Sequence, residues 1–256
     1  MRLLEQVSEW DSTYRKLKEN EVLWSQNPEI EDFVPLLKKS RATRILDAGC
    51  GDGKNLVSLI QDEEFFCVGC DGSPTALRVC DRQVQKAVEQ LATGGSLPKE
   101  RMRHYCLVEA ELARMPFLDD HFDAALCIDV INHNPNPFPI LTELRRVVKP
   151  GGYVYLSLFN TDDEIVQDPK QKALMTEMPR GIRGREYLYE FVNGDMGSVR
   201  YYFRFIKAGE VDDFLAPAGF QLVEKHVKAW PNPPHPHFRP YPHTHCNHMV
   251  TLKNTK

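Results

Sequence analysis

The sequence lacks any long apolar run. A membrane-spanning helix needs roughly twenty consecutive apolar residues. No uninterrupted apolar stretch in the 256 residues approaches that length. The first residues, MRLLEQVSEWDSTYRK, carry too many charges for a secretory signal sequence. We therefore expect a cytoplasmic protein with no membrane partner.

The sequence also lacks an excess of positive charge. Its 32 Lys and Arg residues face 36 Asp and Glu residues, which gives a formal net charge of −4. Proteins that bind nucleic acid usually present a basic surface that neutralises phosphates. We therefore expect no nucleic-acid partner, although a local basic patch would escape this count.

The sequence also lacks a regular framework of cysteines: the seven that are present are an odd number and fall mostly in apparent strands. This pattern is typical of reduced thiols in a cytosolic protein. Cys67 and Cys70 face opposite sides of one strand, so they do not form a metal site. The hydrophobic content of 42% is sufficient for one folded core.

One stretch, ILDAGCGDGKN at 45–55, organises the rest of the chain. A short apolar run ends in Asp47, three glycines alternate with other residues, and a helical pattern begins at Asn55. Glycines permit positive φ and let a ligand approach closely, and a following helix start offers unpaired N–H groups. The order predicts a strand, a ligand-binding turn and a helix.

A second acidic residue, Asp71, follows the next apparent strand, 65–70. It lies about twenty residues beyond the glycine turn, where an acid in a nucleotide-binding unit accepts hydrogen bonds from ribose hydroxyls. These residues predict a pocket for a ribose-bearing ligand. The spacing leaves open whether that ligand is NAD or another nucleoside.

The motif D-x-G-C-G-x-G resembles the signature of S-adenosylmethionine-dependent methyltransferases of the Rossmann-like class. Four further segments match in order: CDGSPTAL (70–77), ELARMPF (111–117), FDAALCIDVINH (122–133) and LRRVVKPGGYVYLS (144–157). The resemblance covers about residues 40–160. The preceding W…Y…LW pattern is similar to the small-molecule tellurite-resistance and thiopurine-type members.

The resemblance implies an α/β fold. Its sheet is Rossmann-like, doubly wound and seven-stranded, mostly parallel with an antiparallel last strand, and has helices on both faces. We expect a single domain over residues 1–256, divided as follows: an N-terminal helical lid (1–40), a cofactor-binding core (40–160), a substrate-cap insertion (160–205), and a C-terminal helix and strand pair (206–256). The alternative for the first segment is that its aromatic residues simply pack on the sheet.

The resemblance implies S-adenosylmethionine as cofactor, held at the carboxyl ends of the strands. The implied cofactor-binding residues, taken motif by motif, are Asp47, Gly49, Cys50, Gly51, Asn55, Asp71, Gly72, Ala110, Glu111, Leu112, Cys127 and Ile128. Glu111 would accept a hydrogen bond from the exocyclic amine of adenine, and Leu112 would supply a neighbouring N–H. The alternative for Glu111 is a solvated loop acid.

Candidate catalytic residues follow the fourth apparent strand. His133 is a possible general base, because imidazole titrates near neutral pH, and Asp129 is a second. The alternative is that His133 only closes the pocket. The residues predicted to bind the substrate are Trp10, Tyr14, Trp24, Asn132, Tyr187, Arg200, Tyr202, His235, His237 and Arg239. The equal alternative for Tyr187, Arg200 and Tyr202 is a sheet face against the core. No metal is expected, since the prolines near the histidines do not favour converging ligands.

The predicted reaction is in-line transfer of a methyl group to a small-molecule nucleophile. Soft nucleophiles such as thiols or metalloid species need no base, whereas oxygen or nitrogen acceptors can require one. Three alternatives remain: a methyltransferase acting on tRNA or protein, a non-catalytic cofactor-binding protein, and an NAD-dependent oxidoreductase. The DAGCG spacing and the VKPGG segment disfavour the oxidoreductase. We expect a monomer or a homodimer.

Overall fold

A computed structural model describes residues 3–17, 21–23, 28–93, 104–178, 185–193, 197–232 and 242–256. The helices are α1 (Leu3–Arg15), α2 (Val34–Lys39), α3 (Lys54–Leu59), α4 (Pro74–Thr93), α5 (Phe138–Val147), α6 (Glu164–Gln167), α7 (Pro169–Lys172) and α8 (Val211–Leu215). The strands are β1 (Arg44–Ala48), β2 (Phe66–Asp71), β3 (Tyr105–Glu109), β4 (Phe122–Cys127), β5 (Val148–Phe159), β6 (Met175–Glu177), β7 (Glu186–Asn193), β8 (Gly197–Arg204), β9 (Gln221–Asn232) and β10 (His243–Lys253).

Seven strands form the main sheet in the order β3-β2-β1-β4-β5-β10-β9. Strands β1 to β5 pair in parallel, and β10 is antiparallel to both of its neighbours. The predicted Rossmann-like sheet is therefore confirmed, including its antiparallel last strand. That strand is second from the edge, with β9 outside it, and the strand order reverses between β1 and β4.

Strand alternation builds one core on each face of the sheet. Leu46 and Val68 point to the face covered by α5 and α8, whereas Ile45 and Cys67 point to the face covered by α2, α3 and α4. Helices therefore lie on both faces, as predicted. Cys70 belongs to the first core, so the two cysteines of β2 do face opposite sides.

The insertion after β5 forms a second, small sheet in the order β6-β7-β8. The sequence predicts two or three short strands here, and three are present. The helices α6 and α7 were not anticipated, because their charged segment has no apolar period. The predicted Asn193-Gly194 turn extends outside the described residues.

Helix α1 lies across the sheet edge between α4 and the small sheet. Its Asp11 accepts hydrogen bonds from Ser73 Oγ at 2.8 Å and Thr75 N at 3.1 Å, at the start of α4. Its Trp10 ring stacks on Tyr201 of β8 with centroids 4.2 Å apart. Within the described residues, no helix combines the length and apolar composition that crossing a bilayer requires.

Three boundaries differ from the sequence-based expectation. β5 begins at Val148, so the KPGG segment predicted as a helix stop belongs to the strand. The expected helix over 210–218 is α8 flanked by two 3-10 turns, with Pro217 in the second of them. The β9–β10 hairpin extends to Asn232 and resumes at His243, so parts of the proline- and histidine-rich segment are strand.

Candidate active site

A cavity of about 210 Å³ runs along the carboxyl ends of the parallel strands, beneath α1 and the small sheet. Of the predicted site residues, thirteen line it: Trp10, Tyr14, Gly49, Cys50, Gly51, Asn55, Asp71, Gly72, Glu111, Leu112, Ile128, Asp129 and His133. Doubly wound sheets bind ligands in this position, beside the point where the strand order reverses.

The glycine turn is anchored to β2 and closely surrounded. The N–H groups of Gly49 and Cys50 donate to the Cys70 carbonyl at 2.7 and 3.2 Å. Gly49 has a φ of +82°, and a Cβ there would lie 2.3 Å from Val130 Cγ2. This position therefore requires glycine for both its conformation and its lack of a side chain.

Asp71 joins the glycine turn to the start of α4. Its Oδ2 accepts from Gly51 N at 2.9 Å and its Oδ1 from Ser73 N at 2.8 Å. Burial raises the pKa of Asp71, although these N–H groups oppose the rise. A carboxylate has about four acceptor sites, so this side chain can still accept from ribose hydroxyls. Glu111 lines the same end of the cavity.

Asp47 lies fully buried under the turn. Its Oδ1 accepts from Asn55 Nδ2 at 3.3 Å, but its Oδ2 has no partner among the described residues. Burial raises the pKa of this carboxyl to about 7, against the opposing effects of Asn55 and the nearby Lys54 charge. An unpaired acidic oxygen favours a cationic donor, and the methionine portion of S-adenosylmethionine carries an ammonium. The residues present therefore fit this cofactor.

A buried ionic network lies beside the turn. Lys54 Nζ is 2.8 Å from Asp129 Oδ2 and 3.5 Å from Glu29 Oε2. Asn247 Nδ2 donates to Glu29 Oε1 at 2.8 Å and to Asp129 Oδ1 at 3.2 Å. Although burial opposes both effects, Asp129 and Glu29 raise the pKa of Lys54, and Lys54 lowers the pKa of Asp129. Lys54 and Asp129 thus form a charged pair.

His133 lies in an aromatic box. Its ring meets Trp10, Phe159 and Phe203 edge-to-face, with centroids 4.8–5.2 Å apart. Its Nδ1 is 3.1 Å from the Tyr202 carbonyl. Burial lowers the pKa of His133 to about 4, despite the opposing charge of Asp129, so the imidazole is neutral at pH 7.

The far end of the cavity is formed by the β9–β10 hairpin. Trp230, Asn232, His245 and Asn247 line it. His245 Nδ1 is 3.4 Å from Asp163 Oδ2, and its Nε2 is 3.2 Å from the corresponding nitrogen of His243. Among the described residues, no set of three or more His, Cys, Asp or Glu side chains is arranged to hold a metal ion.

Four predicted residues lie behind the cavity wall: Asp47, Ala110, Cys127 and Asn132. Asn132 binds the backbone of β5, with its Nδ2 donating to Ser157 O at 3.1 Å and its Oδ1 accepting from Phe159 N at 3.0 Å. Because its amide holds the end of β5, Asn132 does not make the substrate contact that the sequence predicts. Cys127 is buried in the core of the sheet.

The structure does not bring the predicted insertion residues to the cavity. Strand alternation turns Phe203 inward and Tyr202 to the opposite face, where Arg204 lies 5.4 Å from the Tyr202 ring centroid. Arg200 is exposed and pairs with Glu190, and Tyr187 packs in the aromatic core of the small sheet. Trp24, His235, His237 and Arg239 lie outside the described residues.

Several residues were missed by the sequence-based prediction: Lys54, Phe203, Trp230 and Asn247 on the cavity wall, and Glu29 in the ionic network. For Lys54 a signal existed, because it directly follows the glycine motif. Phe203 was one register position away from a predicted residue. For Glu29 and Asn247, which are 218 positions apart, no local pattern indicates their contact.

Comparison with known proteins gives the class. Residues 46–156 match a family model described as a methyltransferase domain. This match covers somewhat less than half of the chain and agrees with the predicted class, enzyme type and cofactor.

Individual relatives differ in what they act on. A ubiquinone biosynthesis O-methyltransferase of Burkholderia thailandensis is 29% identical over 71% of this chain and 66% of its own length. A tRNA (carboxymethyluridine(34)-5-O)-methyltransferase of Arabidopsis thaliana is 28% identical over 54% of this chain and 28% of its own length. The chain thus spans just under two thirds of the first relative and about a quarter of the second.

A solved structure shares the fold. The 1,6-didemethyltoxoflavin-N1-methyltransferase of Burkholderia thailandensis superposes with a TM-score of 0.58 at 17% identity, covering 99% of this chain and 88% of that one. That structure holds 1,6-didemethyltoxoflavin and S-adenosylhomocysteine. The similarity to the tellurite-resistance and thiopurine-type members stays a prediction.

Proposed function

We propose that this protein transfers the methyl group of S-adenosylmethionine to a small molecule bound in the cavity. The observation that carries the proposal is the enclosure of that cavity by α1 and the small sheet. Trp10 and Tyr14 of α1 line it from above, and Phe203 and Phe205 line it from the small sheet. The lining combines aromatic and aliphatic side chains with a small number of polar groups, as is typical of small-molecule sites.

In this proposal α1 acts as the lid of a single domain. The bonds from Asp11 to the start of α4 and the stacking of Trp10 on Tyr201 hold the helix over the glycine turn. Tyr14 approaches so closely that a Cβ on Gly51 would lie 2.8 Å from its hydroxyl oxygen. Closing a site in this way excludes water from the reacting groups.

The cofactor would be held by two carboxylates that line one end of the cavity and by Asp47 behind that wall. Asp71 accepts from ribose hydroxyls, Glu111 from the adenine amine, and Asp47 from the ammonium of the methionine portion. When bound, S-adenosylmethionine supplies an activated methyl group on a positively charged sulfur. The residues of this chain then orient the acceptor and exclude water.

The geometry favours positioning over proton transfer for both predicted catalytic residues. His133 has a pKa lowered to about 4, which makes it a weak base at pH 7. Asp129 is bound by Lys54, Ser157 and Asn247, so its oxygens are engaged in the ionic network. Alignment of the acceptor in a dry site supplies the rate enhancement in this proposal.

Charge disfavours a nucleic-acid substrate. The described cavity wall carries five carboxylates, and its one lysine, Lys54, is held between two acids. A phosphate backbone would meet repulsion there. That the protein acts in the cytoplasm, as a monomer or homodimer, also remains a prediction.

The test combines binding with turnover. Calorimetric titration should show binding of S-adenosylmethionine and S-adenosylhomocysteine but not NAD. Methyl transfer from labelled S-adenosylmethionine is then measured with phenols, thiols, amines, metalloid oxyanions and bulk tRNA. Labelling of tRNA alone would refute a small-molecule acceptor, and binding without any labelling would favour a non-catalytic protein.

A further inference from the structure

Two buried polar atoms at the β9–β10 end of the cavity have no hydrogen-bond partner within the described structure. They are Nε1 of Trp230, a donor, and Oδ1 of Asn247, an acceptor. Trp230 is 6% exposed and Asn247 is 2% exposed, so both groups are shielded from bulk water. Buried polar atoms are nearly always paired in folded proteins, and both of these residues line the cavity.

The orientation of the Asn247 amide follows from its neighbours. Its Nδ2 lies 2.8 Å from Glu29 Oε1 and 3.2 Å from Asp129 Oδ1. Both partners are carboxylate oxygens, which only accept, so the amide must direct its nitrogen towards them. The carbonyl oxygen therefore remains as the unpaired acceptor.

Strand register places the two atoms on one face of the hairpin. Trp230 pairs directly with His245, and Asn247 is two positions further along β10. Side chains two positions apart on a strand point to the same side of the sheet, and diagonal neighbours are separated by about 7–8 Å. The hairpin thus offers one donor and one acceptor to the same region of the cavity.

The remaining wall of the cavity selects against charge. Trp10, Phe159 and Phe203 supply aromatic surface around His133. Lys54, which is the cation of the described lining, is already paired with Glu29 and Asp129. An anionic acceptor would find no unengaged counter-charge among the described residues, whereas a neutral planar ring would contact aromatic walls.

We propose that Trp230 and Asn247 form a recognition site for a neutral aromatic acceptor that bears a hydroxyl group. A hydroxyl accepts one hydrogen bond and donates another, which matches one unpaired donor and one unpaired acceptor. Trp230 donates to the hydroxyl oxygen, and Asn247 accepts the hydroxyl proton. This inference rests on the proposed function, because it names the class of molecule that the cavity would methylate.

The test uses three probes of similar size: phenol, toluene and benzoate. Each is titrated into the protein saturated with S-adenosylhomocysteine, and the indole N–H signals of the three tryptophans are followed by nitrogen-15 NMR. The Trp230 signal is assigned by its loss in Trp230→Phe. Phenol should shift this signal downfield. Toluene should produce no such downfield shift, because it offers the N–H no acceptor. Benzoate should bind at least tenfold more weakly than phenol.

Affinities in two variants provide the control. Trp230→Phe should weaken phenol binding about tenfold, which corresponds to one lost hydrogen bond, and should change toluene binding less than twofold. The matched control is Tyr105→Phe. It removes a β3 hydroxyl that donates to Asp81 of α4, away from the cavity, and should change neither affinity.

The outcomes separate this inference from the proposed function. If the protein binds S-adenosylhomocysteine but phenol does not bind, does not shift the Trp230 signal, or binds Trp230→Phe equally well, the recognition site is wrong. Tighter binding of benzoate than of phenol would overturn it too. Failure to bind S-adenosylhomocysteine at all would instead contradict the proposed function. Retained S-adenosylhomocysteine binding in Trp230→Phe shows that the variant is folded.

Discussion

Replacing Lys54 by methionine isolates the energetic role of the ionic network. The substitution keeps most of the side-chain volume but removes the ammonium that lies 2.8 Å from Asp129 and 3.5 Å from Glu29. Lys54 is 10% exposed and Glu29 is fully buried, so water cannot replace the lost charge. Buried Glu29 and Asp129, whose side chain is 28% exposed, would then keep Asn247 as a common donor.

The expected cost is about 3–5 kcal/mol in the free energy of unfolding at pH 7, which is typical for removing one partner of a buried pair. The cost should depend on pH in a defined direction. Lys54 keeps the folded-state pKa of Asp129 below its unfolded value, so the stabilisation is present above about pH 4 and is lost as the pH falls further. The difference between the wild type and Lys54→Met should therefore shrink on acidification.

Urea unfolding followed by circular dichroism, from pH 8 down to about pH 2.5, measures this difference, because the loss is expected below about pH 4. The matched control is Lys149→Met, because Lys149 also pairs with an aspartate but is 46% exposed, and it should cost no more than about 1 kcal/mol. A second variant, Lys54→Met with Glu29→Gln, should recover part of the loss by removing one unpaired charge. A cost below about 1 kcal/mol for Lys54→Met, or a cost independent of pH, would refute the reasoning.

Three further predictions concern the cavity. Asp71→Ala should weaken S-adenosylhomocysteine binding about 10–100-fold in calorimetry, through the loss of charge-assisted hydrogen bonds, and unchanged affinity would remove the ribose assignment. Gly49→Ala should destabilise the fold by at least about 1–3 kcal/mol in urea unfolding, because of its φ of +82° and the 2.3 Å approach to Val130; a neutral result would mean that the turn adapts. His133 has a folded-state pKa lowered to about 4, so the wild type should lose up to about 3 kcal/mol between pH 6.5 and pH 4. That loss should be absent in His133→Asn, and parallel curves for the two proteins would contradict the burial of a neutral imidazole.

The sequence allowed the prediction of those parts of the site that are local in the chain. The glycine turn needs residues with positive φ next to a helix start, and glycine at 49, 51 and 53 reveals this directly. Asp71 follows from the length of one strand–turn–helix unit. The mostly parallel sheet, its antiparallel last strand and the helices on both faces follow from the family resemblance together with apolar strands and amphipathic helices.

The remainder depends on contacts between distant segments. Glu29 and Asn247 meet across 218 positions, and nothing in either neighbourhood indicates the other. In β8 the error was one of register, since Phe203 rather than Tyr202 faces the cavity, and a shift by one position reverses every side chain of a strand. Likewise, composition indicates a loop around the prolines after Trp230, whereas pairing with β10 extends the strand to Asn232.

The direction of β10 decides whether Asn247 can reach Asp129 at the carboxyl ends of the parallel strands. The strands β1 and β4 present their carboxyl ends to the site, with Asp129 just beyond β4. Because β10 is antiparallel to β5, its amino-terminal end reaches the same edge, and Asn247 pairs with Phe159 at the end of β5. A parallel β10 would carry Asn247 to the opposite edge, where it could not donate to Asp129. The antiparallel last strand is therefore what adds a polar wall, with its donor Trp230 from β9, to a cofactor site built by parallel strands.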